Sequence, residues 1–259
     1  MKINKIAFAL LLAAAAFSAE SCVLSFNLEK IKEKTAYDAS GNIVRKDTLV
    51  NGFDSIETSS FADVTYYQKD SAAHVSIEAS DNIIPLILVS SENGKLKLSI
   101  KESWFSNYGK IHISVYSKSL RNIETRGSGD FIANGVKADD LSFSSYGSGN
   151  LELSDLTCTD FSGSISGSGD MTLDGLSCGS FSVSVAGSGD VSAKKLKCDK
   201  AVVSVAGSGD ISLDGFAKKA DLQVAGSGDI FAKYLECPDF NAKAVGSGTV
   251  TKPGGKVEK

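Results

Sequence analysis

The feature that most limits how this chain can fold is a repeat. Gly-Ser-Gly begins at Gly127, Gly147, Gly167, Gly187, Gly207, Gly226 and Gly246, at intervals of 20, 20, 20, 20, 19 and 20 residues. Copies in phase over such a length make each copy one structural unit that stacks on its neighbours. With the first glycine as position 1, position 5 is apolar throughout: Phe131, Leu151, Met171, Val191, Ile211, Ile230 and Val250. Position 10 carries Val136, Leu156, Leu176, Leu196, Phe216 and Leu235, and positions 15, 17 and 19 are mostly apolar, as in Phe181-Ser182-Val183-Ser184-Val185. Alternation at period 2 marks strands with one buried face, and nothing repeats at helical period. A fully extended unit would span roughly 66 Å, so each must bend to bury its apolar face. One coil of a parallel β-helix per unit, with coils about 4.8 Å apart, turns like positions into ladders inside a tube. The expected fold is all-β, a parallel β-helix with regular coils over 127–250 and larger, irregular coils before them.

Paired glycines tolerate positive φ and close backbone approach, which suits a corner between strands and tight stacking of coils. The residue after the corner is Asp130, Asp170, Asp190, Asp210 or Asp229, with Asn150 and Thr249 in the other two regular copies. We read this column as turn caps, because Asp and Asn side chains accept from turn amides. The alternative is a cation site, since stacked carboxylates repel and a bound calcium would relieve that. Against it stand one acid per coil and a period unlike the nonapeptide calcium repeat. No metal or other cofactor is expected. Cys158, Cys178, Cys198 and Cys237 share position 12, with Ala138 there in the first coil and Ala217 or Lys218 in the shortened one. Stacked positions have side-by-side Cβ vectors, poor for a disulfide, and no Cys-x-x-Cys pair suggests a metal. A ladder of buried thiols is expected.

At the other end, Lys2 and Lys5 precede an apolar run from Ile6 to Phe17, too short to span a membrane. Residues 1–21 read as a signal peptide. Cys22 follows small residues, which suggests lipidation there, although Ala19 and Glu20 depart from the usual lipobox and plain secretory cleavage is the alternative. Two or more acyl chains would anchor the exported chain, each buried CH₂ contributing ~0.8 kcal/mol. Residues 22–50 read as the lipidated N-terminus and a solvated tether, 51–250 as the β-helix domain and 251–259 as a polar tail. The net charge of −4 leaves no basic footprint for nucleic acid.

The segment Phe53 to Val64 aligns with Leu120 to Phe131, so that Ser60-Phe61-Ala62-Asp63 is a degenerate first corner. Between them, about three larger coils or a hairpin excursion are expected, with strands at 75–79, 95–100 and 110–115 and a turn at Glu92-Asn93-Gly94. Trp104-Phe105-Ser106-Asn107-Tyr108-Gly109 is an aromatic loop. Trp104, Phe105 and Tyr108 either stack on sugar rings or a partner, or cover the end of the core. His74 and His112 are the chain's two histidines, both outside the repeats, and the uniform intervals leave no room for cleft-forming loops. This argues against an enzyme.

The Gly-Ser-Gly-Asp corners and the entry strand Gly52-Phe53-Asp54-Ser55-Ile56-Glu57 resemble the putative auto-transporter adhesin, head GIN domain family of bacterial envelope proteins. The resemblance covers about residues 50–250. It implies a right-handed parallel β-helix on a lipoprotein or secreted protein, and no established activity. Ending in a polar tail, the chain is expected to lack a barrel of its own. The expected function is a non-catalytic adhesion or binding module of the cell envelope, membrane-attached through its N-terminal lipid and contacting a glycan or protein. A structural periplasmic scaffold and, last, a polysaccharide-active enzyme are the alternatives.

Overall fold

A computed structural model describes residues 36–101 and 105–258. Cys22, the signal peptide and Trp104 lie outside the described residues. Before the regular repeat come β1 (Tyr37–Asp38), β2 (Ile43–Leu49), β3 (Ser55–Ser59), β4 (Asp63–Gln68), β5 (His74–Ser80), β6 (Ile87–Glu92), β7 (Lys95–Ile100), β8 (Phe105–Asn107) and β9 (His112–Ser117). The repeat supplies β10 (Asn122–Thr125), β11 (Phe131–Asn134), β12 (Asp140–Ser145), β13 (Leu151–Thr157), β14 (Asp160–Ile165), β15 (Met171–Val185), β16 (Val191–Val205), β17 (Ile211–Val224), β18 (Ile230–Glu236), β19 (Asp239–Ala244) and β20 (Val250–Thr251). The short β21 (Val257–Glu258) follows.

The strands build a β-solenoid of about six turns. One parallel stack runs β7, β3, β10, β12, β14, then the C-terminal halves of β15, β16 and β17, and ends at β19. The other runs β9, β4, β11, β13, then the N-terminal halves of the same long strands, and ends at β18 and β20. Position 5 forms the buried ladder Val64, Phe131, Leu151, Met171, Val191, Ile211, Ile230, Val250. Position 15 forms another, in which Phe161 and Phe181 stack with ring centroids 5.7 Å apart. Burying each large apolar side chain of these ladders contributes about 1.5–3 kcal/mol.

The degenerate first corner is where the alignment puts it. β3 pairs β10 with Ile56 opposite Ile123 and Thr58 opposite Thr125, and Val64 lies opposite Phe131. The intervening chain is a hairpin excursion and one added coil, out of chain order. β7 and β9 stack on the far side of β3 and β4, so the chain enters at the second layer, lays down the first, and then climbs. The excursion includes β5, antiparallel to β9, and β6, antiparallel to β7. The two-residue turn between β6 and β7 has Asn93 at φ 51° and Gly94 at φ 76°. Both central residues are left-handed, as a type I′ hairpin turn requires.

Four details differ from the sequence pattern. The folded part begins inside the segment read as tether, since β2 pairs antiparallel with β5. It is an edge strand exposed along nearly its whole length, so it carries no alternation to betray it. The tail is also structured, with a 3₁₀ turn at Pro253–Gly255 and β21 folded back on β20. In the 19-residue coil the deletion falls before Gly215, which takes the slot over Leu196, while Phe216 pairs with Lys197 and leaves the core ladder. Finally, the corner glycines from Gly127 to Gly228 do not have left-handed backbone; only Gly246 does, at φ 113°. The left-handed residue sits at the opposite corner, position 9: Gly135, Asp155, Gly175 and Lys195 at φ 69°, 52°, 82° and 52°.

Candidate binding surfaces

What the corner glycines provide is contact. A Cβ at Gly147, Gly167, Gly187 or Gly207 would run into the carbonyl oxygen of the first glycine one coil earlier, and the second glycines face the coil beneath in the same way. That carbonyl is shared: Gly167 O accepts from the N–H of Ser188 at 3.1 Å and of Gly189 at 3.4 Å, and the pattern recurs up the stack. The corner column is thus the tightest seam of the rod.

The Asp column beside it faces the other way. Each Oδ1 accepts the main-chain N–H of the equivalent residue one coil later: Asp130 from Asn150 at 2.7 Å, Asp170 from Asp190 at 2.8 Å, Asp190 from Asp210 and Asp210 from Asp229, both at 2.7 Å. Asn150 does the same for Asp170 at 3.1 Å, which an amide oxygen can do as well as a carboxylate. Asp229 accepts from both the N–H and the hydroxyl of Thr249. Asp63 of the degenerate corner starts the ladder, accepting from Asp130 at 3.1 Å. One oxygen of each side chain is therefore spent on joining coils.

The position-12 column reads Ala138, Cys158, Cys178, Cys198, Ala217 in register, with Cys237 after β18. The four thiols are free. Hydrogen bonds with Cys158 and Cys198, with burial added, push the Cys178 thiol far above the usual range.

In the aromatic loop, Phe105 packs edge-on against Phe61 at 5.3 Å and Tyr108 lies 4.0 Å from the same ring. Tyr37 joins Phe105 at 5.9 Å. Phe61 occupies the place of the corner serine, so these rings sit over the N-terminal end of the corner column. Tyr37 and Tyr108 keep outward surface. A second ring cluster escapes sequence reading. His74 stacks on Tyr116 at 4.2 Å and Tyr116 on Tyr67 at 5.0 Å, on neighbouring strands β5, β9 and β4. Nothing in the linear order of these three residues brings them together; only the antiparallel return of β5 does. A hollow of about 660 Å³ lies nearby and is lined in part by Val50, Phe53, Ala72, Ala73, Gly94 and Ser117.

The flat stack from β10 to β19 carries the most regular surface. Ser142, Ser162 and Ser182 form one outward column, and Ser144, Ser164, Ser184 and Ser204 the next. They alternate with the buried positions, so the columns stand at coil spacing, about 4.8 Å, along the rod. These hydroxyls have no hydrogen-bond partner among the described residues. A face of evenly spaced free donors and acceptors is built for many weak polar contacts rather than for one deep one.

With the corner column, the entry strand and their register established, the comparison with known families is direct. The family described as putative auto-transporter adhesin, head GIN domain, matches residues 52–215. The chain belongs to this family. Solved structures extend the likeness of this head GIN protein. A putative adhesin from Bacteroides fragilis NCTC 9343 is 28% identical with a TM-score of 0.77, over 83% of this chain and 99% of its own. A putative lipid binding protein from Parabacteroides distasonis ATCC 8503 is 25% identical with a TM-score of 0.72, over 83% and 98%. A putative adhesin from Parabacteroides merdae ATCC 43184, at 21% identity and a TM-score of 0.64 over 83% and 98%, shares the fold. No curated protein matches the chain.

Proposed function

We propose that this protein is a non-catalytic binding module of adhesin type on the bacterial cell envelope. In this reading a lipid on Cys22 holds it to the outer membrane, and the serine face meets an extended, hydroxyl-rich ligand such as a glycan. The observation that carries the proposal is that face. Its unpartnered hydroxyls recur at coil spacing over β12, β14, β15 and β16, so a polymer lying along the rod can make the same contact repeatedly. Weak contacts repeated on one rigid support give avidity without a deep pocket. The family and two neighbours described as adhesins support the binding role. The coils from 127 onward are 19 or 20 residues long and project no loops that could form a catalytic cleft, which supports a role without turnover.

Protease treatment of intact cells tests the location on which the proposal depends. The chain is expected to be degraded while a periplasmic control survives. Survival until the outer membrane is broken would overturn the adhesin reading and redirect the search to periplasmic partners by cross-linking.

A further inference from the structure

The residue just before each Gly-Ser-Gly corner faces outward, beside the serine columns. In chain order it is Arg126, Tyr146, Ser166, Ala186, Ala206, Ala225 and Val245. The backbone holds these residues in register. Tyr146 donates its N–H to the carbonyl of Thr125, Ser166 to that of Ser145 and Ala186 to that of Ile165. The column changes character after its second member. Arg126 and Tyr146 stand up from the face, and the side chains from Ser166 to Ala225 are no larger than serine.

Tyr146 is held in a defined pose. Arg126, one coil earlier, lies over its ring with the guanidinium carbon 4.9 Å from the ring centroid. Arg126 is itself ion-paired with Glu124. The covered face is the one turned toward the preceding coil, so the ring stands across the rod axis. Its other face looks along the column over Ser166. With one face covered, the residue is still 53% exposed, which leaves that second face open. Coils are about 4.8 Å apart, within the range of separations of stacked rings. A flat ring resting on Tyr146 would therefore sit above Ser166, with Ser144 and Ser164 of the neighbouring column at its side.

The surroundings select the kind of ring. From Ser142 to Ala206 the three outward columns hold serines, alanines, Val202 and Tyr146, and no charged side chain. An ionised ligand finds no counter-charge there, while hydroxyl groups find partners. A pyranose offers both a C–H face for Tyr146 and hydroxyls for the serines. We propose that Tyr146 is the end stop of the serine face and stacks on the terminal pyranose of a neutral glycan, whose next units run along Ser164, Ser184 and Ser204. This rests on the glycan reading of that face and adds the geometry of the linkage. A pyranose stacked on Tyr146 has its plane across the rod. An equatorial glycosidic bond leaves close to that plane and carries the chain sideways off the face. An axial bond leaves perpendicular to it, along the columns. The site therefore selects an axially linked terminal unit, the α anomer of the common D-hexoses, over a β-linked chain.

The test uses the full exported chain carrying Cys22→Ser, and immobilised neutral polymers as probes, read by biolayer interferometry. Dextran and an α-mannan have axial anomeric bonds; a mixed-linkage β-glucan and a β-mannan have equatorial ones. Binding is expected to an α-linked polymer and to neither β-linked one. Tyr146→Ala is expected to weaken it about tenfold. Ser166→Trp, which fills the seat with a ring, is expected to abolish it. Ser184→Lys perturbs the face away from the end stop and is expected to weaken binding as well. All three positions are exposed, so each variant is expected to keep the circular dichroism of the parent. A preference for β-linked polymers would overturn the end stop, and so would α-linked binding that Tyr146→Ala and Ser166→Trp leave intact. If Ser184→Lys still weakens that binding, the serine-face reading stands without the end stop. Binding to none of the polymers, or binding that Ser184→Lys does not change, would overturn the reading of the face and the end stop with it.

Discussion

Substitution of one corner glycine by alanine separates two explanations of the repeat by the sign of its effect. Gly187 is the case to use. Its backbone is not left-handed, so if glycine is there only for conformational freedom, Gly187→Ala should stabilise the fold by about 0.4–1 kcal/mol through the unfolded chain. The packing says the opposite. The added Cβ would lie 3.0 Å from the carbonyl carbon of Gly167, with the carbonyl oxygen nearer still, and 3.0 Å from the carbonyl carbon of Ser166. Normal van der Waals contact between such atoms is near 3.5 Å, so the coils must part by about 1 Å or more. The Gly167 carbonyl holds two N–H groups, at 3.1 and 3.4 Å, and neither bond survives that shift. Losing two backbone bonds costs about 1–3 kcal/mol net, and forcing a packed core apart costs about 1–3 more. The expected destabilisation is about 2–6 kcal/mol, which for a chain of this size lowers the melting temperature by roughly 4–24 °C. Thermal unfolding followed by circular dichroism measures it, with amide exchange to show that protection is lost first in the coils flanking residue 187. Gly52→Ala is the control, since nothing lies within 4 Å of its Cβ direction and its φ is ordinary. A Gly187→Ala protein that melts at or above the parent would refute the steric account.

Two further predictions concern the columns beside that seam. Asp190→Ala leaves the Asp210 amide without its 2.7 Å acceptor and is expected to cost ~1 kcal/mol, whereas Asp190→Asn, which copies Asn150, should lie within about 0.5 kcal/mol of the parent; urea titration distinguishes them, and equal damage together with a melting temperature lowered by EDTA would favour a bound cation. The thiol of Cys178 is held protonated in the fold by Cys158, Cys198 and burial, while thiols of the unfolded chain ionise near ~8.5. Its folded value is raised, so its contribution to stability is complete below about pH 8.5 and declines above it. Iodoacetamide at that pH should spare Cys178 in the native protein and modify it in denaturant, with equal labelling as the contrary result.

Much of this architecture was legible because the constraint was written many times. The ladders at positions 5 and 15, the coil length, the thiol column and even the degenerate corner at Ser60 follow from spacing and alternation alone. What was not legible depends on contacts that leave no periodic trace. β2 has both faces toward solvent, so it looks like tether. Phe216 keeps its apolar character but loses its place, because a one-residue deletion in a strand with period 2 turns it out of the core. The left-handed corner was hidden because Asp155 and Lys195 share it with Gly135 and Gly175, and non-glycine residues rarely mark such a conformation. The serine columns of the candidate surface could be read from the sequence as outward positions. The His74–Tyr116–Tyr67 stack could not, because it needs the inverted order of the first layers.

The two halves of Gly-Ser-Gly-Asp constrain the rod in opposite directions, and its two irregular copies follow from that. The glycines look backward: each needs its missing Cβ because of a carbonyl one coil earlier. The acid looks forward: each Oδ1 serves an amide one coil later. In the first copy no corner of the same register lies beneath, and Phe105 and Tyr108 close over Phe61 instead. Ser60 and Ala62 can therefore carry a Cβ. Asp63 is still present, because Asp130 lies ahead of it and donates its N–H. In the last described copy the situation reverses. Gly246 and Gly248 remain, because Gly226 and Gly228 lie behind them. The acid is gone, because no described coil lies ahead; Thr249 stands there and gives its hydroxyl back to Asp229 at 2.9 Å. A motif that loses its glycines at one end and its acid at the other marks the direction in which the solenoid is built. A four-residue turn serving only its own corner would have no reason to fail in different halves at different ends.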